Sequence, residues 1–377
     1  MKILFPFVGD SFGGSHRSTI ELYKNLRRRD IDAIILLHCQ DGPLADFLLR
    51  EGIPFQVVLV RSLAGEFPSV LRILFDLIRN TYFLGRFILR NDIDIVHGND
   101  LRINLSWSIP TKLCRRKFVW HQRTILSSSI FWRLIPWLCD GFIAISQAVL
   151  RSTPKNVPLE MRELIFNPFD TDVCFDKNSA RTFLENKHNI AKNILLIGYV
   201  GRLVPYKKID FLIRSIAHLS KLCDFSFHFL VVGKGNDAYE NELREIANSC
   251  GASDRITFAG FSHEPDWIIA GLDVLVASSN VDAFGRSLVE AMLQRTVVLA
   301  SHASGHDEII DNWETGVLFD PDDRDDFIDK LKVILLSREL RETMTLKAYK
   351  IVSERFSADN HAYRVLALYD RLTGNTA

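Results

Sequence analysis

Short apolar runs alternate with longer amphipathic stretches along the whole chain. The runs are rich in β-branched and aromatic residues and carry almost no charge, which is typical of strands buried on both faces of a parallel sheet. They occupy residues 2–8, 33–37, 55–60, 93–97, 117–121 and 141–145 in the first half, and 194–200, 227–232, 255–258, 274–277 and 297–300 in the second. Between the runs, apolar residues recur at helical spacing, as in 18–29 and 209–219. The pattern predicts an α/β protein built from two doubly wound halves.

A polar stretch at 167–192, which contains Pro168, separates the two halves and is the predicted domain boundary. Ligands of doubly wound sheets bind at the carboxyl ends of the strands. With two such sheets facing each other, the cleft between the domains is the expected binding site.

The composition, with 47% hydrophobic and 24% charged residues, is that of a globular protein and excludes a disordered or collagen-like chain. No charge-free window reaches the roughly 18 residues that a membrane-spanning helix needs. The apolar start at 3–9 is too short for a secretory signal. The six cysteines are scattered without a CxxC pair, so we predict neither a disulfide framework nor a structural zinc site. A reducing cytosol is the expected compartment.

The net charge is zero but is unevenly distributed. Residues 1–165 hold 22 Lys and Arg against 15 Asp and Glu, and residues 166–377 hold 24 against 31, which gives +7 and −7. Such a split suggests an anionic partner for the first half, either a membrane surface or a nucleic acid, although uneven sampling of solvated charges explains it equally well. A nucleic-acid binder would also need stacking aromatic residues in the basic half, and no ordered motif of that kind is present.

A glycine pair, Gly13 and Gly14, lies between the first predicted strand and the following helix. Glycines there allow a close backbone approach, and the N-terminus of the helix offers N–H groups to an anion. The loop is not GxGxxG and no acidic residue ends the second strand, so a dinucleotide site is not favoured. Because tight turns account for most glycine pairs, this loop alone is a weak signal.

A basic loop at 201–207 leaves the strand that ends at Val200 and leads into a helix. Its two cations, Arg202 and Lys207, stand at the carboxyl edge of a parallel strand, where a diphosphate could be held. Arginine can bind phosphate oxygens with two parallel hydrogen bonds, and lysine acts as a point charge. The alternative is a solvated loop with ordinary basic residues.

An acidic residue, a glycine turn and a helix with a second acid follow the strand 274–277. The backbone N–H groups of residues 285–288 would open that helix, a favourable place for a phosphate or a sugar hydroxyl. Glu290 stands one to two turns into the helix among apolar residues. We therefore expect its carboxylate to be partly buried and paired with a hydroxyl donor rather than solvated.

The second half resembles the donor domain of the retaining family-four glycosyltransferases of the GT-B fold. The likeness is carried, in family order and over about 130 residues, by the stretches "GYVGRLVPYKKIDFLIRSIAHL", "FLVVGKGND", "ITFAGF", "DVLVASSNVDAFGRSLVEAM" and "SGHDEIIDNWETGVLFDPDD". The first half matches more loosely through "FGGSHRS", "DIDIVHGND", "FVWHQRT" and "FIAISQAV". "IFNPFD" is similar to the crossover segment, and "RFSADNHAYRVLALYDRL" to the C-terminal helices that return to the first domain.

The resemblance implies two Rossmann-like domains facing each other across a cleft. Residues 1–170 would form the acceptor-binding domain, completed by a C-terminal helix at about 356–377. Residues 190–355 would bind the nucleotide-sugar donor.

Site residues follow from the resemblance by position. Arg202 and Lys207 would clamp the donor diphosphate and stabilise the charge that grows as the nucleotide departs. Asp282 would bind hydroxyls of the transferred sugar, and Glu290 those of the ribose. Contacts to the donor would also come from Gly233, Gly285, Arg286, Ser287 and Leu288.

In the first half, the resemblance assigns roles to one glycine and one histidine. Gly14 would let the acceptor domain close over the diphosphate. His121 matches the histidine that lies near the sugar and the reacting oxygens. His97, at an earlier strand end, is a rival, but a satisfied structural histidine is the stronger interpretation there.

Several positions depart from the family pattern. Asp282 stands where glutamate is usual, Lys208 replaces a common glycine, and Arg286 and Ser287 occupy sites where aliphatic residues are frequent. The shorter carboxylate could alter the fit of the sugar. The arginine could add a charged contact, and none of these changes removes the phosphate clamp.

The implied activity is transfer of a hexose from a UDP- or GDP-linked donor to a saccharide or lipid-linked acceptor, as in the synthesis of lipopolysaccharide or another cell-surface polysaccharide. Retention would use front-face substitution, without a metal or a cofactor. Rival functions are a nucleotide-sugar epimerase or synthase on the same fold, or a non-catalytic nucleotide-sugar-binding scaffold. Asp92-Ile93-Asp94 is similar to the metal-binding DxD of other glycosyltransferases, but it leads into a buried strand at its wrong end and is expected to be structural.

The stretch 69–90 is apolar nearly all round, with Arg72, Arg79 and Arg86 seven residues apart and therefore on one helical face. A basic helix with an apolar flank can lie in the interface of an anionic leaflet. The alternative is a helix packed in the core with a solvated arginine stripe. The first interpretation would place the protein on the inner face of the plasma membrane, as a peripheral protein of the cytoplasm.

Overall fold

The computed structural model describes residues 1–60, 70–127, 130–173, 175–303 and 305–374. The chain divides into two compact units. The first consists of Met1–Asp170 together with Phe356–Ala377, and the second of Thr171–Arg355. The predicted α/β class with two doubly wound sheets is confirmed.

In its described part, the first unit contains a seven-stranded parallel sheet. Its strands are β1 (Lys2–Phe7), β2 (Asp32–Leu37), β3 (Gln56–Val57), β4 (Ile95–Gly98), β5 (Lys117–Gln122), β6 (Gly141–Ala144) and β7 (Arg162–Leu164), in the order β3-β2-β1-β4-β5-β6-β7. Its helices up to this point are α1 (Gly14–Arg28), α2 (Pro43–Arg50), α3 (Val70–Arg90), α4 (Leu101–Leu113), α5 (Ile135–Leu138) and α6 (Gln147–Ser152).

The described part of the second unit contains a six-stranded parallel sheet. Its strands are β8 (Leu195–Val200), β9 (Phe227–Val232), β10 (Ile256–Gly260), β11 (Val274–Ala277), β12 (Val297–Ser301) and β13 (Val317–Phe319), in the order β10-β9-β8-β11-β12-β13. Its helices are α7 (Lys177–His188), α8 (Ile209–Leu222), α9 (Asp237–Ser249), α10 (Pro265–Ala270), α11 (Arg286–Leu293), α12 (Arg324–Leu336) and α13 (Arg338–Arg355).

The last helix, α14 (Ala358–Thr373), belongs to the first unit. It buries Ala362, Val365, Leu368 and Tyr369 in the same apolar cluster as strands β1, β2, β4 and β5. Burial of a large apolar side chain stabilises a fold by about 1.5–3 kcal/mol. The packing of α14 against the sheet therefore contributes to the stability of the first unit.

Two strands escaped prediction because their sequences lack a long apolar run. β7 has the sequence REL and β13 has VLF, and both lie at an edge of their sheet. The predicted strand at 55–60 is reduced to two paired residues. In all other cases the predicted strands lie within a few residues of the observed ones.

The loops after β4, β5, β8 and β11 lie at the carboxyl ends of neighbouring strands. Because all pairs in both sheets are parallel, residues that follow these strands collect at one edge of each sheet. Among the described residues, no helix has both the length and the apolar character needed to cross a membrane.

Candidate functional site

The basic loop after β8 is attached to the end of β11 by a buried serine. The Ser278 hydroxyl is within hydrogen-bond distance of two carbonyl oxygens, that of Lys207 at 2.8 Å and that of Lys208 at 2.9 Å. A short 3₁₀ turn at Pro205–Lys207 precedes α8. These contacts fix the backbone that carries the Lys207 side chain.

A second loop, after β9, holds the first half of the basic loop. The N–H of Gly201 donates to the carbonyl of Val232, and the N–H of Leu203 to that of Lys234. Gly233 lies between them with φ +145°, and a Cβ there would stand 1.8 Å from the carbonyl oxygen of Gly201. Gly233 thus lets two loops approach more closely than any side chain allows.

Lys207 forms an ion pair with Asp282, and both side chains are mostly buried. The Nε2 atom of His306 lies 3.5 Å from the same carboxylate oxygen, while its Nδ1 donates to the carbonyl of Ser301 at 2.9 Å. Burial alone would raise the pKa of Asp282, but the hydrogen bond with His306 and the charge of Lys207 outweigh it and hold the pKa well below its usual range. Asp282 is therefore an ionised carboxylate that accepts hydrogen bonds.

Arg202 is held by two tyrosines. Its guanidinium Nη2 donates to the hydroxyl of Tyr206 at 2.7 Å, and the hydroxyl of Tyr199 donates to its carbonyl at 2.8 Å. The Lys207 Nζ also lies 5.7 Å from the centre of the Tyr206 ring. The two predicted phosphate ligands therefore share one exposed aromatic neighbour.

Helix α11 begins after Gly285, whose φ of +92° is favoured in glycine. A Cβ at this position would stand 3.0 Å from Cδ2 of His306. The N–H of Leu288 donates to the carbonyl of Gly285 within the first turn, and the Leu288 side chain is buried. Ser287 lies in that same turn.

Glu290 is mostly buried, as expected, but the partner that the structure gives it is a cation rather than a hydroxyl donor. Its Oε1 accepts from Nε of Arg286 at 3.2 Å, with Nη2 at 3.1 Å. The two residues are one helical turn apart, where opposite charges attract. Arg286, unusual for the family, therefore neutralises the acid of α11.

Lys208 adopts the left-handed conformation, with φ +51°, at a position where the family pattern has glycine. A non-glycine residue there costs roughly 1 kcal/mol. The Lys208 side chain pairs with Asp322, which is more than half exposed, so the pair compensates little.

We expect Lys208→Gly, made in an Asp322→Asn background that has already lost the ion pair, to raise the free energy of unfolding by about 1 kcal/mol. The measurement is urea denaturation of the double variant against Asp322→Asn alone. Equal or lower stability of the double variant would show that the left-handed backbone at Lys208 carries no strain.

In the first unit, His121 is the penultimate residue of β5 and is 1% exposed. Its Nδ1 lies 2.9 Å from Nε2 of His97 and 3.3 Å from Nη2 of Arg123. The interpretation of His97 as a satisfied buried histidine agrees with its two hydrogen-bond partners, His121 and Tyr369. Gly14 is the first residue of α1.

The structure thus brings predicted residues of the second unit into direct contact in two pairs. Lys207 meets Asp282, and Arg286 meets Glu290. Sequence reasoning missed His306, Tyr206 and Tyr369. The "SGHDEII" stretch contains His306, but a histidine in a loop gives no signal of its neighbours.

Two acidic residues away from the candidate site have structural roles. Asp94 accepts hydrogen bonds from the backbone N–H of Lys2 at 2.8 Å and from Arg116 at 3.0 Å, so this acid of the DxD-like triplet connects β1, β4 and β5. Asp323 caps α12 by accepting from the N–H groups of Asp325 and Asp326.

A cavity of about 560 Å³ lies beyond the carboxyl ends of β2 and β3, beside α3. Among the described residues, its lining is mainly apolar, with Leu59, Phe83 and Leu84 next to the polar Asp41 and Arg79. None of the predicted site residues lines it.

Comparison with known proteins identifies the class. Residues 180–351 match the family of glycosyl transferases group 1, and residues 12–173 match glycosyltransferase family 4. The chain belongs to the family-four glycosyltransferases with the GT-B fold.

Two of the relatives are named for the biosynthesis of lipopolysaccharide core or O-antigen. The chain is 27% identical over 204 residues to the lipopolysaccharide core biosynthesis mannosyltransferase LpsB of Rhizobium meliloti. The matched region covers 52% of this chain and 56% of LpsB. The chain is 23% identical to the O-antigen biosynthesis glycosyltransferase WclY of Escherichia coli, over 66% of this chain and 67% of the other. The chain spans about half the length of the first curated relatives that it matches.

Among solved structures, Anabaena HepE in complex with UDP and glucose is similar, with a TM-score of 0.83 at 24% identity. The similarity covers 98% of this chain and 99% of HepE. At this identity the likeness establishes the fold.

Proposed function

We propose that this protein is a retaining glycosyltransferase that moves a hexose from a nucleoside diphosphate sugar to a saccharide or lipid-linked acceptor in the synthesis of lipopolysaccharide or another polysaccharide. The observation that carries the proposal is the buried cluster of Lys207, Asp282 and His306 at the carboxyl edge of the second sheet. The names of LpsB and WclY support the class of product.

In the proposed reaction, Lys207 and Arg202 bind the donor diphosphate. As the bond from the sugar to the phosphate breaks, negative charge grows on the phosphate oxygens, and fixed cations stabilise it. The N-terminus of α11 adds backbone N–H groups to this site. Asp282, an ionised acceptor, binds a hydroxyl of the sugar, and its pairing with Lys207 places the sugar next to the phosphate.

The remaining proposed contacts orient the donor. Glu290 binds the ribose hydroxyls, and Arg286 holds its carboxylate in place. His121 and the Gly14 end of α1 contribute from the first unit, His121 to the sugar and Gly14 to the diphosphate. The departing phosphate takes the proton of the incoming hydroxyl, so the reaction proceeds on the front face and needs neither a metal nor a protein nucleophile.

Among nucleotides, we favour UDP, because HepE shares the fold along its whole length and binds UDP and UDP-glucose. The test is calorimetric titration with UDP and GDP, followed by a screen of UDP- and GDP-sugars with detection of products by mass spectrometry. Transfer to a saccharide acceptor supports the proposal. Isomerisation of the donor sugar would indicate an epimerase, and nucleotide binding with no reaction would indicate a scaffold.

Substitutions of Glu290 and Asp282 are expected to affect different quantities, the affinity for UDP and the rate of sugar transfer. Glu290→Gln should weaken binding of UDP about tenfold, because it removes the charge from the hydrogen bonds to the ribose. Asp282→Asn should change the affinity for UDP by less than about threefold while lowering kcat, because its partner is the sugar. Calorimetry with UDP and initial-rate kinetics measure both, and the opposite order would exchange the two assignments.

We also propose that α3 lies on an anionic membrane surface of the cytoplasm. Its exposed residues include Ile78, Tyr82, Phe83 and Leu89. Arg86 donates to the hydroxyl of Tyr82 at 3.0 Å, so a basic group and an aromatic group lie side by side. The side chain of Arg72 and residue Ser69 lie outside the described residues.

Vesicle co-sedimentation tests the membrane proposal. The protein should bind vesicles that contain anionic lipid, less strongly as salt rises, because the attraction of exposed charges is screened. Arg72/Arg79/Arg86→Gln should lose this binding, whereas Arg324/Arg338→Gln, a control on the second unit, should keep it. Equal recovery on neutral and anionic vesicles would refute the membrane claim alone.

A further inference from the structure

A series of three buried, hydrogen-bonded side-chain rings connects α14 to the end of β5. Tyr369 of α14, His97 of β4 and His121 of β5 are each at most 1% exposed. The Tyr369 hydroxyl lies 2.5 Å from Nδ1 of His97, and the other ring nitrogen of His97 lies 2.9 Å from Nδ1 of His121. This series of hydrogen-bonded rings therefore ends at Nε2 of His121.

Arg123 sets the direction of these hydrogen bonds. A guanidinium can only donate, and its Nη2 lies 3.3 Å from Nδ1 of His121. The same group is oriented by Asn99, at 2.8 Å, and by Asn167. Nη2 also donates to the hydroxyl of Thr19 at 3.2 Å, so its two hydrogens are shared among three acceptors. The positive charge of the guanidinium favours a lone pair on Nδ1 of His121, so a neutral His121 carries its proton on Nε2.

The acceptor role of His121 also determines which group donates in the hydrogen bond between His97 and Tyr369. Because Nδ1 of His121 accepts, Nε2 of His97 must donate to it. The Nδ1 of a neutral His97 is then a lone pair, which accepts from the hydroxyl of Tyr369. Burial, reinforced by the charge of Arg123, lowers the pKa of both histidines well below the usual range, which agrees with two neutral rings.

The donor at the end of this series, Nε2 of His121, has no partner among the described residues. The nitrogen is also buried. The neighbouring ring of His361 is nearly parallel at 6.0 Å, and its Nδ1 donates to the carbonyl of Phe166. A buried donor without an acceptor is costly, which points to an acceptor oxygen supplied by a ligand.

We propose that His97 and Tyr369 are positioning residues that hold His121 as a neutral Nε2–H donor toward an acceptor oxygen of the sugar donor. The target oxygen rests on the proposed function, but the tautomer does not. A proton on Nε2 also means that this nitrogen cannot serve as a general base. The role of the C-terminal helix then extends from completing the core to fixing the protonation of a site residue.

The tautomer is measured directly by ¹⁵N NMR of the full chain with histidine labelled in the ring, with His121→Gln to assign the signals. We expect a protonated Nε2 and an unprotonated Nδ1 for His121 from about pH 5 to pH 8. A proton on Nδ1, or titration of the ring to imidazolium in this range, would overturn the proposal. This readout needs no transfer activity, so it stands if the proposed function fails.

Kinetics of variants give the second arm. Glutamine at position 97 can still donate an N–H toward Nδ1 of His121, whereas leucine cannot. With a donor sugar that is turned over, His97→Leu should lower kcat/KM at least about tenfold, and His97→Gln should restore it to within about threefold. Tyr369→Phe, which keeps the ring and its packing, should shift the ¹⁵N signals of His97. Equal rates for the leucine and glutamine variants, or unchanged His97 signals in Tyr369→Phe, would contradict the positioning role.

Discussion

Replacement of Lys207 by alanine is expected to remove at least about 2–3 kcal/mol of transition-state stabilisation, which lowers kcat by at least roughly one and a half to two orders of magnitude. The ammonium group is mostly buried and the backbone of Lys207 is fixed through Ser278, so we expect the group to act on the proposed diphosphate with little reorganisation. Its loss also removes the lysine charge from the buried carboxylate of Asp282, which keeps His306 and the hydroxyl of Ser279 beside it.

The matched control is Lys221→Ala, which removes an exposed lysine at the end of α8 in the same unit. It should leave the rate unchanged. Arg202→Ala should resemble Lys207→Ala, since both cations are assigned to the same diphosphate. Near-normal turnover of the Lys207 and Arg202 variants at saturating donor would refute the phosphate clamp.

The largest effect on stability is expected for Gly233→Ala. A Cβ at this position would stand 1.8 Å from the carbonyl oxygen and 2.9 Å from the carbonyl carbon of Gly201. Both atoms belong to the backbone, so no side-chain rotation can relieve the clash. The φ of +145° adds strain for any L-residue. We expect a loss of more than about 4 kcal/mol in the free energy of unfolding, enough to unfold the second unit.

Gly251→Ala is the control for the backbone conformation alone. Gly251 also has a positive φ, of +69°, but a Cβ there would meet no atom within 4 Å. It should cost only about 1 kcal/mol. Urea or thermal denaturation compares the two variants, and a Gly233→Ala protein as stable as Gly251→Ala would show that the β8 and β9 loops do not require the close approach.

The fold follows from the sequence because buried parallel strands carry a strong local signal. Runs such as 227–232 and 274–277 match β9 and β11 at both ends. The edge strand β7 gave no such signal because its residues are only partly buried and two of them are charged. Burial of a strand on both faces, rather than pairing itself, is what the apolar pattern records.

Candidate site residues could be proposed from the sequence, but their contacts could not be predicted. Arg202, Lys207, Asp282 and Glu290 stand out because they follow predicted strands and match the positions implied by the family resemblance. The pairing of Glu290 with Arg286 required knowledge of the rotamers on α11. The contact of His306 with Asp282 joins two loops that are 24 positions apart, and that of Tyr369 with His97 spans 272. Tertiary packing determines such contacts, and no local pattern records them.

The most direct test of the transferase assignment is the anomeric configuration of the product. The chain is incubated with α-linked UDP-hexoses and a panel of saccharide and lipid-linked acceptors, and the product is analysed by proton NMR beside a reaction with Lys207→Ala. We predict an α-linked product that forms with the unaltered chain and is almost absent with the variant. A β-linked product would contradict retention, and an equal yield from Lys207→Ala would contradict a site built around Lys207 and Asp282.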